Sequence, residues 1–263
     1  MFGIGNLEGM SPESHAMMVR VLGEEFKRTA TVRAALPPGP QPVDRYFVSV
    51  PQVTAGGTLR IGELQAKRPT ELSQGLEFGS VQLHAPELVE MLARRAGQSL
   101  GVADSKHLYS ELCPAAGGGG SRVELKSASA EDDDAALRHA ISQAVEELHG
   151  GQHYGPHVLL LKPQTLTRYR NVVNSKAGRG FVTDSLGADL KLALVPQDAA
   201  GEASLGALVS LGAGSVDVVA FDSVGLSVTA YGGQGQLKLL AHTRVALRVL
   251  DPRAIVEFVE PQQ

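Results

Sequence analysis

An α+β fold with a mostly antiparallel sheet is predicted by three features of this 263-residue sequence. Long apolar patterns at helical spacing fall in the first two-thirds of the chain. Short apolar runs punctuated by glycine and aspartate crowd the last third. No repeat of the length that builds solenoids or propellers (~20–50 residues) recurs. A block of helices followed by a block of strands marks a fold in which the two are segregated, rather than an alternating βαβ fold.

Element by element, residues 1–10 are glycine-rich and aperiodic and read as a loose arm. Ser11-Pro12-Glu13 is a helix start, because Ser11 can accept from free first-turn amides and Pro12 suits the first helical position. Met17, Met18, Val21, Leu22 and Phe26 then share one helical face through about Thr29, and Leu36-Pro37-Pro38-Gly39-Pro40 forms a stiff connector. From 43 to 84 the chain reads as one long hairpin. Tyr46, Val48 and Val50 alternate on the way out, Gly56-Gly57 turns, and Lys67-Arg68-Pro69 stands as a polar tip before Leu76, Phe78, Val81 and Leu83 return. So few positions are committed to a core that such a projection needs support from outside itself, for instance a neighbouring subunit.

The longest helical pattern runs from Ala85 to about Leu112 and is broken by the glycines ending at Gly120. A strand near Val123–Leu125 follows. The acidic run from Glu131 to Asp134 suits the positive end of a second helix, Ala135–Leu148. Val158–Leu161 reads as an apolar strand, Gln164–Val173 as a short helix behind Pro163, and Asn174–Thr183 as a small-residue cationic loop. Strands are expected at Leu190–Val195, Leu205–Leu211, Val216–Phe221, Leu226–Tyr231, Leu237–Val249 and Ile255–Val259.

Composition narrows the function. The net charge of −4 and pI near 6.1 leave no basic excess to neutralise a phosphate backbone. A single cysteine, Cys113, rules out an intrachain disulfide and every cysteine-based zinc framework, which fits a reducing compartment. No signal-peptide pattern and no membrane-spanning apolar run is visible, so a cytoplasmic protein is expected.

The chemical inventory is thin, and no cofactor is expected. His149, His153 and His157 are spaced four apart, but Gly150, Gly151 and Pro156 interrupt any helix that would align them, so a solvated turn is the better reading. His242 reads as an ordinary strand histidine. Asp132, Asp133 and Asp134 point in different directions at a helix start and lack calcium-loop spacing, which favours capping. The glycine runs do not sit between a strand and a phosphate-binding helix, and no nucleophile elbow or P-loop string occurs. Cys113 reads as a buried structural thiol. A non-enzyme is expected, with an α+β enzyme whose site escapes sequence reading as the distant alternative.

Several strings in order, best over residues 131–260, resemble the encapsulin shell family, which shares the major-capsid fold of tailed phages. Tyr154-Gly155-Pro156-His157-Val158-Leu159-Leu160 looks like its Gly-Pro strand entry. Gly178-Arg179-Gly180-Phe181-Val182 is similar to its five-fold pore loop, though the proline expected before Val182 is absent. Gly206–Leu211, Asp217-Val218-Val219 and Asp222–Val228 resemble its central strands. Arg244–Val256, with Asp251-Pro252-Arg253-Ala254, looks like its closing strand and Pro-x-Ala ending, and Ala103–Tyr109 looks like the end of its spine helix.

The resemblance implies an icosahedral self-assembling shell in which the chain's main partner is itself. It implies a phage major-capsid-like division into an N-terminal arm and helix (1–42), an extended loop hairpin (43–84), a peripheral domain with a long spine helix (85–130 and 236–263) and an axial domain (131–235). It further implies a five-fold pore loop at Lys176, Gly178, Arg179 and Gly180, and a lumenal helix carrying Met17, Met18, Val21, Leu22 and Phe26. Lys67 and Arg68 are implied at the extended-loop tip. The contents would be a cargo protein in an encapsulin, or packaged DNA in a tailed phage or prophage. The short stretch before the hairpin favours the encapsulin.

Overall fold

The computed structural model describes residues 11–40, 42, 47–53, 59–79, 85–117, 120–125, 133–174, 190–230 and 236–261. Its first helix, α1 (Pro12–Thr29), begins where the sequence places it: the Ser11 side chain accepts from the Ser14 amide at 3.1 Å. A five-residue helix, α2 (Thr31–Ala35), follows at once and was not anticipated. A two-stranded ribbon comes next, β1 (Val48–Val53) paired antiparallel with β2 (Leu59–Lys67). Then come β3 (Thr70–Gly79) and the long helix α3 (Pro86–Gly117), which continues several residues past the expected stop near Leu112.

The rest of the chain supplies β4 (Ser121–Glu124), α4 (Asp133–Gly150), β5 (His157–Leu161), α5 (Pro163–Asn174), β6 (Lys191–Leu194), β7 (Ser204–Ser210), β8 (Val216–Ala220), β9 (Gly225–Ala230), β10 (Gln236–Val249) and β11 (Ile255–Val259). The strand positions match expectation to within a residue or two. The pairing is mostly antiparallel, as expected, with β4 parallel to β11 and β6 parallel to β5 as the exceptions. The five-stranded sheet is therefore mixed, whereas the sheet on β10 is antiparallel throughout.

Two sheets form the body. The larger has the order β4-β11-β7-β5-β6, and both its faces are apolar. Successive residues of a strand point to opposite faces. Val158, Leu160, Ala207, Val209 and Ile255 accordingly enter one core, shared with Leu108 and Leu112 of α3. Leu159, Leu161, Leu208, Val256 and Phe258 enter another, closed by Leu137, Ile141 and Leu148 of α4 and Tyr169 and Val172 of α5. The smaller sheet is organised on β10, which pairs with β3 on one side and with β9 and then β8 on the other. Its inner face, with Phe78, Leu239 and Ala241, packs under the first half of α3, and α1 lies against that same stretch of helix.

Two glycines let α1 approach α3 closely. A Cβ on Gly97 would come within 2.5 Å of the Leu22 carbonyl oxygen, and one on Gly101 within 2.9 Å of the Phe26 carbonyl oxygen and the Ala30 amide. Glu25, buried between the helices, accepts from Arg28 on its own helix at 2.7 Å and from Arg94 on α3 at 3.1 Å.

One expectation is corrected by the topology. β2 does not pair with β3; the ribbon's turn falls between β1 and β2, at residues outside the described set, and β3 instead lies along β10 from Thr70 to Gly79. Lys67-Arg68-Pro69 is thus the root of the ribbon, where it joins the body, and not its tip. The line drawn at 235/236 also passes between β9 and β10, which pair with each other, while β4 and β11 join the larger sheet.

Candidate functional site

The five residues expected on a lumenal helix are held together, and most of their surface is used inside the chain. Met18, Val21, Leu22 and Phe26 are buried against α3, with Met17 partly buried beside them. What α1 leaves outside is its other face, including Ala16, Val19, Arg20 and Lys27. The expected pore-loop residues Lys176, Gly178, Arg179 and Gly180 lie outside the described residues.

Lys67 and Arg68 sit side by side at the ribbon root and turn opposite ways, as neighbours leaving a strand must. The Lys67 ammonium donates to Glu111 Oε2 on α3 at 2.9 Å and to the Leu247 carbonyl of β10 at 3.0 Å. The Arg68 guanidinium lies 5.7 Å from the ring centre of Phe47, on the ribbon's other leg. Sequence reading missed Glu111. Its pairing with His107 one turn earlier (3.7 Å) is visible in the helical spacing, but its tie to Lys67 spans 44 positions and leaves no local trace.

Two further turns back, the wholly buried Asp104 is held by Arg33 of α2 in a forked ion pair, one arm of it at 3.1 Å. Burial raises the Asp104 carboxyl above its ordinary range, against the pull of Arg33. This pair fixes α2 to the middle of α3. Arg244–Asp222 (2.5 Å) and the forked Arg248–Asp217 pair do a similar job on the outer face of the smaller sheet.

A buried polar cluster surrounds Cys113. Tyr109 and Ser204 share a hydroxyl hydrogen bond of 2.8 Å, the thiol lies 3.6 Å from Ser204 Oγ, and Glu257 accepts from Arg122 at 3.0 Å. Burial pushes the thiol up to about 12, so it stays protonated and a poor nucleophile at neutral pH. The structural reading of Cys113 fits this environment.

The three histidines fall on three different elements, as the interrupting glycines and proline require. His149 is in the last turn of α4, His153 in the following loop and His157 opens β5. They are less solvated than expected: His153 and His157 are buried, and His153 Nε2 is 3.2 Å from Asp251. Among the described residues no cluster of three or more His, Cys, Asp or Glu could hold a metal ion, and no helix is long and apolar enough to cross a membrane. An open depression of about 370 Å³ beside the end of α4 is lined by Ser121, Gln143, Glu146, Glu147 and Arg253, and the Ser121 hydroxyl donates there to Glu147 Oε2 at 3.0 Å.

No family model and no curated protein matches the sequence. Solved structures do match in shape. A chain of the virus-like particle from Pyrococcus furiosus aligns with a TM-score of 0.73 over 92% of this chain and 98% of its own, at 17% identity. A capsid chain of the cyanophage P-SCSP1u aligns at 0.55 over 89% of each chain with 14% identity. A chain from the capsid of an empty GTA particle aligns at 0.54, covering 89% of this chain and 90% of its own, with 13% identity. The chain has the mixed α+β fold of these particle and capsid chains.

Proposed function

We propose that this chain is the subunit of a self-assembling closed protein shell, that it is not an enzyme, and that the shell encloses a cargo protein. The observation carrying this is the near-complete, two-way coverage between this chain and the particle chain from Pyrococcus furiosus. A thiol held protonated by burial and a ribbon that forms a sheet of its own support a structural role. Closed assembly suits such a subunit, since each copy buries several modest contacts at once and their sum outweighs the entropy of association. A cytoplasmic location goes with this reading.

Within it, Lys176, Gly178, Arg179 and Gly180 belong to a loop at a five-fold axis, where five copies bring two cations each to one opening and favour anions. The helix α1 faces the lumen. Because its apolar side is already packed on α3, cargo would meet the side bearing Ala16, Val19 and Arg20. The peripheral part corresponds to the β10 sheet with α1 and α3, and the axial part to the five-stranded sheet with α4 and α5.

A capsid enclosing DNA is the second reading, favoured by the matches to phage capsid chains. Size-exclusion chromatography and negative-stain electron microscopy of the purified chain test the shell. Uniform hollow particles tens of nanometres across are expected; a small species under all salt and pH conditions would overturn it. Particles containing nuclease-protected DNA would move the assignment to the second reading.

A further inference from the structure

We propose that the Lys67–Glu111 contact is a strut that sets the direction in which the β1–β2 ribbon leaves the body. Three observations carry it. The ribbon is a two-stranded sheet of its own, and among the described residues its strands pair only with each other. A lone pair of strands is marginal without support, so its orientation depends on how it is fastened at the root. At that root a single ammonium reaches two body elements at once, the carboxylate of Glu111 on α3 and the Leu247 carbonyl of β10. The third is what surrounds the strut. Arg68 over the Phe47 ring ties the ribbon's outgoing leg to its returning one, so the root moves as a unit. Glu111 is itself seated on a helix fixed elsewhere along its length, by Arg33 to Asp104 and by Arg94 to Glu25.

The geometry explains why a lysine stands here. An ammonium carries three donors on a flexible stem and can serve a carboxylate and a carbonyl lying in different directions, which an uncharged side chain of equal length cannot. It also commits Lys67 to contacts within its own chain. The orientation of the ribbon follows from the contacts alone; its consequence for assembly rests on the shell reading.

The test places spin labels at positions 65 on β2 and 95 on the exposed side of α3, in the unassembled chain. Their distance distribution is measured by pulsed electron resonance. The native root should give one narrow distribution. Lys67→Met, which keeps the stem and removes the donors, should at least double its width with no change in circular dichroism, and Lys67→Arg should restore most of the narrowing. Equal widths for the native and Met chains would overturn the strut. So would a broadened Met variant that Arg leaves equally broad, since a charge-bearing donor would then not be the cause. Particle formation is scored separately. If the native chain forms no particles, the shell reading fails while the label widths still decide the strut. If it forms them, Lys67→Met should give fewer or uneven ones.

Discussion

The two sheets of this molecule solve burial differently. In the five-stranded sheet every residue of β5 and β7 is buried, and helices or the other sheet cover both faces. In the smaller sheet β10 alternates. Leu239, Ala241, Thr243, Val245 and Leu247 point into the core, while Lys238, His242, Arg244 and Arg248 on the other face stay half-buried. One sheet is wrapped; the other is lined mainly on one side and carries ion pairs on its outer face beside a small cluster of Val219, Ala246 and Phe221. The difference teaches where substitutions should hurt. A wrapped sheet loses packing whichever way a residue points, whereas the one-sided sheet depends on the helix pair that covers it.

The sharpest way to break the comparison is at the centre of the wrapped sheet. Leu208→Ala should destabilise the unassembled chain by about 2–5 kcal/mol in urea unfolding, because the wholly buried Leu208 meets α4 and its neighbours can collapse only partly into the gap. A loss under 1 kcal/mol would mean that the helices do not hold that face. The one-sided sheet should instead be sensitive through its cover. Gly101→Ala forces a methyl against the backbone at Phe26 and Ala30, and about 1–3 kcal/mol of stability should be lost as α1 lifts from α3. Faster proteolysis within residues 12–29 would locate the damage. The smallest effect carries the opposite sign. Thr243 is fully buried on the inner face, and its hydroxyl has no hydrogen-bond partner among the described residues. Thr243→Val should therefore raise the urea midpoint, by roughly 1 kcal/mol of stability. A loss would show that the hydroxyl is satisfied after all.

How much of this was legible in the sequence depends on the range of each interaction. The cap at Ser11, the strand runs from Lys191 onward and the helix begun by the acidic run are local, and local signals placed them. The strand β3 shows the limit. Its alternation is legible, but the nearest pairing in sequence is back onto β2, and the true partner is the far later β10, where Gln236 meets Gly79 and Val245 meets Thr70. Taking the nearer pairing moves Lys67 from root to tip. Helix α2 was missed because five residues hold too little periodicity to register. The apolar stripe of α1 was found as a face, since helical spacing reveals a buried stripe but not what buries it.

The order of strands has a consequence for synthesis. The strand β10 is the axis of one sheet, and β11 separates β4 from β7 in the other. Neither sheet can close until the ribosome has delivered residues beyond 236, so the nascent chain trails unfinished edges for most of its translation. A transcript cut short before that point yields a chain in which neither sheet is complete. Such fragments are left to chaperones and proteases, and the last strands made act as a check on completeness.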